Sequence, residues 1–364
     1  MPPVTLPAFS PDERTKAHAL LATRVAEMMG RKFEEGDWSA VYTAAKEYPE
    51  APWSNLSIDI THGVLGVEHK MMCRPATKPI MDACGTSIMH PAGTRAIRIP
   101  REEDPTKAAR DVLRQYGDII DERTAIVRIL NHYHHQIISR DKAIVALAAE
   151  ARMTRASAGS ILPQKLRPIG SASDVPDMRM GWILWESGLR EFLYFEEPMS
   201  KPNPLDFTAE WRDSGGGRRK ASRNLWVYHT ASGEKQYSIT TDAGAKIQPY
   251  FTVPLPTDPN LYHFVVQGEE IETGLVRVWL TPGTAELLEQ TLGDVTPETI
   301  ASVVNSHDLP REKDVQEHAG TGLAVPILVP LQTYKNLLES LEGVSDEHTF
   351  KLLIDLLRRA REKN

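Results

Sequence analysis

Apolar residues alternate at Leu56, Ile58 and Ile60 and resume at Val67, after two glycines, Gly63 and Gly66. This pattern predicts a short strand, a turn and a second strand over residues 67–71. Asp59 points away from its apolar neighbours on the first strand. Glu68 and Lys70 lie two apart on the second and share a face. Pairing of the strands brings Asp59 and Glu68 together across a hairpin, with Lys70 beside them.

The rest of the chain divides by period. Residues 37–47 read as a helix before the hairpin. After it, residues 78–90 read as a helix carrying Ile80, Met81, Cys84 and Ile88, weakened by Gly85, and residues 94–100 alternate like a strand. Residues 121–140 form a long amphipathic helix with a stripe of Ile126, Ile129, Leu130, Tyr133 and Ile137. A short helix at 142–151, a turn at 152–154 and a helix at 155–162 capped by Thr154 resemble a helix-turn-helix. Small residues there also suit plain helix packing. Beyond the break at residues 201–204, strand-like runs separated by turn residues cover 224–229, 235–240, 246–253, 261–267 and 275–281. Helices are expected at 284–293 and 346–361. No repeat of 20–50 residues is present.

Composition narrows this picture. A chain of 364 residues with 41% hydrophobic side chains can bury more than one core. Its apolar runs fall short of the roughly 18 residues of a membrane span, and the N-terminus lacks the order of a signal peptide. Cys73 and Cys84 show no metal-ligand spacing. The expectation is a soluble, reduced, cytoplasmic protein. A net charge of −7 argues against nucleic-acid binding by bulk charge, but leaves room for a local basic groove.

The hairpin supplies the candidate chemistry. Two carboxylates at the ends of adjacent strands make a hard oxygen site for Mg2+, which keeps several waters and favours phosphate oxygens. An ammonium beside it can orient water and stabilise charge on a phosphoryl group. Asp59 with Glu68-His69-Lys70 resembles the PD-(D/E)XK nuclease superfamily, whose signature is an acid, a spacer and Glu-x-Lys on the next strand. Ile58 stands where the signature has Pro. The resemblance covers residues 10–130. It implies an α/β (α+β) fold with a mixed central sheet flanked by helices, and Mg2+-dependent hydrolysis of double-stranded DNA. Asp59 and Glu68 would hold the metal, Lys70 would orient the attacking water, and a 5′-phosphate would remain. It also implies a preceding helix that can lend a carboxylate, for which Glu47 is the candidate; the alternative is a surface glutamate. An ordinary surface hairpin is the plain alternative for the whole motif.

DNA contacts are expected from two basic stretches. Arg155, Ser157 and Ser160 would read bases from the second helix of the helix-turn-helix, with Lys165 close by. Arg218, Arg219, Lys220 and Arg223 follow a run of three glycines; this loop either orders on phosphates or is merely solvated. His132 and His135 share a helix face, but no third metal ligand is evident. The organisation expected is a catalytic core at 1–130, a helical segment at 131–200 and a β-rich DNA-recognition part at 201–364. The function expected is a type II restriction endonuclease, with two alternatives: a nuclease of the same core with little sequence preference, or a helix-turn-helix regulator. Double-strand cleavage implies a homodimer, for which the stripe at 121–140 is a candidate interface.

Overall fold

The computed structural model describes residues 4–28, 32–49, 58–90, 97–98, 102–162, 173, 175–214, 222–240, 246–304, 322–340 and 346–362. Its elements are α1 (Pro11–Glu27), α2 (Glu35–Ala45), β1 (Ile60–His62), β2 (Leu65–Arg74), β3 (Ser87–Met89), α3 (Pro105–His134), α4 (Arg140–Glu150), α5 (Arg155–Ile161), β4 (Asp177–Glu186) and β5 (Glu191–Pro198). There follow β6 (Phe207–Ser214), β7 (Ser222–His229), β8 (Lys235–Thr240), β9 (Lys246–Thr252), β10 (Tyr262–Val265), β11 (Glu269–Glu272), β12 (Leu275–Leu280), α6 (Pro282–Leu292), α7 (Pro297–Val304), β13 (Val325–Pro330), α8 (Leu331–Ser340) and α9 (Asp346–Glu362).

A mixed sheet of order β1-β2-β4-β5-β10 forms the centre. β2 and β4 run parallel, and the other pairs are antiparallel. The chain between β2 and β4 includes α3, as a parallel connection requires. Side chains of β4 and β5 alternate between two cores. Trp182, Leu184, Leu193 and Phe195 pack under α3, while Ile183, Trp185, Phe192 and Tyr194 pack under α1 and α2. The middle of a strand buried on both faces shows no polar alternation. The helical segment expected at 131–200 therefore ends at α5, and the middle of the sheet comes from β4 and β5. β10 adds the far edge from beyond residue 200, so the expected boundaries at 130 and 200 do not coincide with the sheet.

The helix expected at 78–90 is instead a short 3-10 turn, Ile80–Ala83, followed by β3. Gly85 there has φ +74°, a left-handed conformation that ends the turn. β3 joins β9, β8, β7 and β6 in a second sheet, whose inner face (Leu225, Val227, Ile239, Ile247, Phe251) shares the core under α3. The strands expected at 224–229, 235–240 and 246–253 are β7, β8 and β9. A third sheet, β11-β12-β13, packs with α6–α9 around Val278, Leu288, Phe350 and Leu353. The fold is thus mixed α/β. Among the described residues no helix is long and apolar enough to cross a membrane.

The stripe on α3 is covered within the chain. Ile126, Ile129, Leu130 and Tyr133 pack on Ala143 and Leu147 of α4, Ala158 of α5, and Leu162. Ile137 lies beyond the end of α3 and is exposed. A buried stripe cannot serve as the dimer interface expected of it.

Candidate active site

β1 and β2 form the expected hairpin, with Ile60 opposite Val67 and His62 opposite Leu65. Gly63, at φ +58°, makes the turn. Gly66 lies inside β2, where a side chain would run into Val127 of α3 at 2.6 Å, so its role is the close approach of that helix. β1 begins only at Ile60, because the chain bends at Asp59. Ile58 and Ile60 consequently enter opposite cores rather than sharing one. Where the backbone ladder stops, the Asp59 side chain continues it: Oδ2 accepts the His69 amide at 2.7 Å.

Glu68 is buried and its Oε1 receives two cations. Lys70 Nζ lies at 2.8 Å and Arg123 Nη2, from α3, at 2.6 Å. The Lys70 ammonium also reaches Glu35 Oε1 at 3.2 Å and the His69 carbonyl at 2.7 Å. Three oxygens thus converge on one positive centre. Five charged side chains from four places meet here: Asp59 before β1, Glu68 and Lys70 on β2, Glu35 at the start of α2, and Arg123 on α3.

Their electrostatics follow from burial and from crowding. Burial raises the Asp59 pKa, and Glu68 and Glu35 raise it further; Lys70 and the His69 amide oppose them, leaving it at about 7. Burial would lower the Lys70 pKa, but Glu68, Glu35 and Asp59 outweigh it and hold the ammonium above its ordinary value. Lys70 is therefore a fixed positive charge here.

His69 faces the other side of β2, under α2. Burial, with the Lys70 charge, depresses its pKa to about 3, so the ring is neutral. Nδ1 lies 3.0 Å from the Ser39 hydroxyl and Nε2 lies 3.3 Å from the Tyr194 hydroxyl. Tyr194 donates to Glu196 at 2.7 Å, so its oxygen is left to accept from Nε2–H, and Ser39 donates to Nδ1. Arg179 pairs with Glu196 at 2.9 Å and with Asp177 at 2.5 Å. This buried chain of partners fixes β2 from behind.

Not every expected residue joins the site. Glu47 lies past the end of α2, is exposed, and pairs with Lys16 at 2.9 Å. The carboxylate that α2 brings to Lys70 is Glu35, at the opposite end of the helix. A helix rises about 1.5 Å per residue, so a cluster at one end of α2 cannot include both. Arg123 had no local signal, since nothing in its own stretch announces β2. α4 and α5 do form two helices joined by a short turn, and Thr154 caps Ser157 as expected. Arg155 is exposed, while the Ser157 hydroxyl is engaged with Thr154 at 2.9 Å. Arg223 lies on β7 over the Trp211 ring at 4.4 Å. Lys165, Arg218, Arg219 and Lys220 lie outside the described residues.

Among the described residues no group of three or more His, Cys, Asp or Glu side chains is disposed to hold a metal. The pair Asp59 and Glu68 fits the more modest demand of Mg2+, which takes one or two carboxylates and keeps waters. Two features of the site agree with that fit. The oxygens already gather around a cation, Lys70, and the Asp59 carboxyl is pushed towards neutrality by burial first and by the neighbouring Glu68 second. Comparison with protein-family models, curated proteins and solved structures gave no match.

Proposed function

We propose that this protein is a Mg2+-dependent endonuclease acting on double-stranded DNA, of the type II restriction kind, built on a core resembling the PD-(D/E)XK superfamily. One observation carries the reading: Asp59 stands across a hairpin from Glu68, with Lys70 in contact with that glutamate. Asp59 and Glu68 would hold the metal, which when bound supplies a Lewis acid and an activated water. Asp59 is held in place by the His69 amide, and Glu68 by Arg123. Lys70 keeps its proton, orients the attacking water and places positive charge where the pentavalent phosphorus gathers negative charge. Glu35 steadies Lys70 from the α2 side. Tight packing behind His69 keeps the strand from shifting, which positional catalysis requires.

Arg155, Lys165, Arg218, Arg219, Lys220 and Arg223 are the proposed contacts to the DNA backbone or bases. Cutting both strands with one such site per chain calls for two chains related by a two-fold axis. That interface would lie away from the stripe on α3.

A second reading is a helix-turn-helix DNA-binding regulator without catalysis. The geometry of α4 and α5 and the exposed Arg155 favour it. Plasmid DNA incubated with the protein, with and without Mg2+, tests both. Discrete fragments only with Mg2+ support the restriction reading, and a smear supports a nuclease with little sequence preference. Retarded but intact DNA under all conditions supports the regulator.

A further inference from the structure

Glu68, Met180 and Glu197 stand in one row across the central sheet, since Glu68 pairs with Met180 and Met180 with Glu197. Directly paired residues project from one face, so both glutamates lie on the α3 side, two strands or about 10 Å apart. Beside Glu197 a cavity of about 290 Å³ opens between the central and second sheets. Its walls carry Tyr116, Trp182, Tyr237, Tyr250 and Phe251, and the exposed Pro198 and Ser200 lie at its rim.

Glu197 is the one charged side chain lining this cavity among the described residues. Trp182 Nε1 donates to its Oε1 at 2.8 Å. Among the described residues no lysine or arginine pairs with it, and no donor meets Oε2. Burial raises its pKa, with only the Trp182 bond opposing. Glu197 is half-buried, so Oε2 is open to a donor from the cavity, and a carboxylate in aromatic surroundings without a cation is suited to meet the donors of a ligand.

We propose that this cavity is a nucleobase subsite, which takes one base extruded from the duplex beside the cleavage site, stacks it on the half-buried rings of Tyr237 and Tyr250 and binds its donor edge with Glu197. The source of the base rests on the nuclease reading above; the chemistry of the pocket does not. The volume suits a single ring system and is too small for a paired base step. Stacking on aromatic faces tolerates every base, so selectivity falls to the carboxylate. Guanine alone offers one carboxylate two adjacent donors, N1–H and N2–H. Thymine offers one N–H flanked by two carbonyls that would face the carboxylate. The pocket therefore prefers guanine and rejects thymine.

The test titrates the metal-free 364-residue chain with dGMP, dAMP, dCMP and dTMP, read by calorimetry or saturation-transfer NMR. dGMP should bind at least about tenfold more tightly than dTMP. Glu197→Gln keeps an acceptor for Trp182 and should lose that preference about tenfold. A duplex carrying one unpaired guanine, against one carrying an unpaired thymine, then separates an extruded base from a free nucleotide: tighter binding of the first duplex supports extrusion, and equal binding overturns it. If Glu197→Gln fails to show a cooperative thermal transition, Tyr250→Leu replaces it and should weaken all four nucleotides together. Absence of binding, equal binding of all four, or a preference untouched by Glu197→Gln each overturns the proposal. A chain that binds dGMP but never cuts DNA refutes the nuclease reading and leaves the pocket intact; one that cuts DNA but ignores all four nucleotides does the reverse.

Discussion

Arg123, from the middle of α3, sets its guanidinium 2.6 Å from Glu68 Oε1, the same oxygen that Lys70 approaches at 2.8 Å. The helix that covers the sheet therefore also restrains the proposed metal ligand. Arg123→Ala leaves a buried carboxylate with one cation fewer. It should lower stability by about 1–3 kcal/mol, read by urea denaturation. Arg123→Lys should recover part of this, because it keeps the charge but not the planar fork.

The Asp59 carboxyl is the pH-sensitive element. Its folded pKa of about 7 lies above the ordinary aspartate value of about 3.9. The folded chain thus binds more protons than the unfolded chain between these values. Stability from this group is fully present below about pH 4 and is lost as pH rises through about 7. Mg2+ opposes the loss by favouring the carboxylate. The rise in Tm on adding Mg2+ should be small at pH 6 and larger at pH 8, and Asp59→Asn should flatten both dependences. An equal Mg2+ effect at the two pH values contradicts the assignment of Asp59 as ligand.

Gly181 sits opposite His69 in the β2–β4 register. A Cβ there would meet His69 Cδ2 and the Tyr194 hydroxyl, each at 2.7 Å. Gly181→Ala should therefore destabilise the fold by about 1–3 kcal/mol through overpacking. It should also slow the chemical step, since it pushes on the residue between Glu68 and Lys70. Thermal unfolding and single-turnover rates read the two effects separately.

Leu147 of α4 fills the hollow over the α3 stripe and is fully buried. Leu147→Ala should cost about 2–5 kcal/mol and leave the sedimentation coefficient of the folded chain unchanged. A change in oligomeric state with little loss of stability would return the stripe to the role of an interface.

The parts of the fold that could be read from the chain are those whose periods are unambiguous. The hairpin, β7, β8, β9, β12, α6 and α9 carry alternation or an amphipathic stripe between clear turn residues. β4 and β5 carry neither. Residues such as Gly181-Trp182-Ile183-Leu184-Trp185 form a continuous apolar run because both faces are buried, and such a run shows no period. In the site, Asp59, Glu68 and Lys70 are local and legible. Glu35 and Arg123 arrive by tertiary packing of α2 and α3, and the sequence offered Glu47, just past the other end of α2, as the candidate acid. Arg155 and Ser157 are legible as helical, because Thr154 announces the cap.

On the proposed nuclease reading, Arg218, Arg219 and Lys220 would contact DNA phosphates. Replacing all three by Ala should weaken binding and lower the slope of log affinity against log salt by about 0.9 for each phosphate that is no longer neutralised. An unchanged slope would remove this stretch from the interface.

The most direct measurement compares plasmid cleavage by the unaltered chain, Asp59→Ala and Lys70→Ala in Mg2+, with DNA binding followed in parallel. The account predicts cleavage by the unaltered chain, loss of cleavage with retained binding in Asp59→Ala, and a fall of several powers of ten in the rate for Lys70→Ala. Full cleavage by Asp59→Ala in Mg2+ would contradict it.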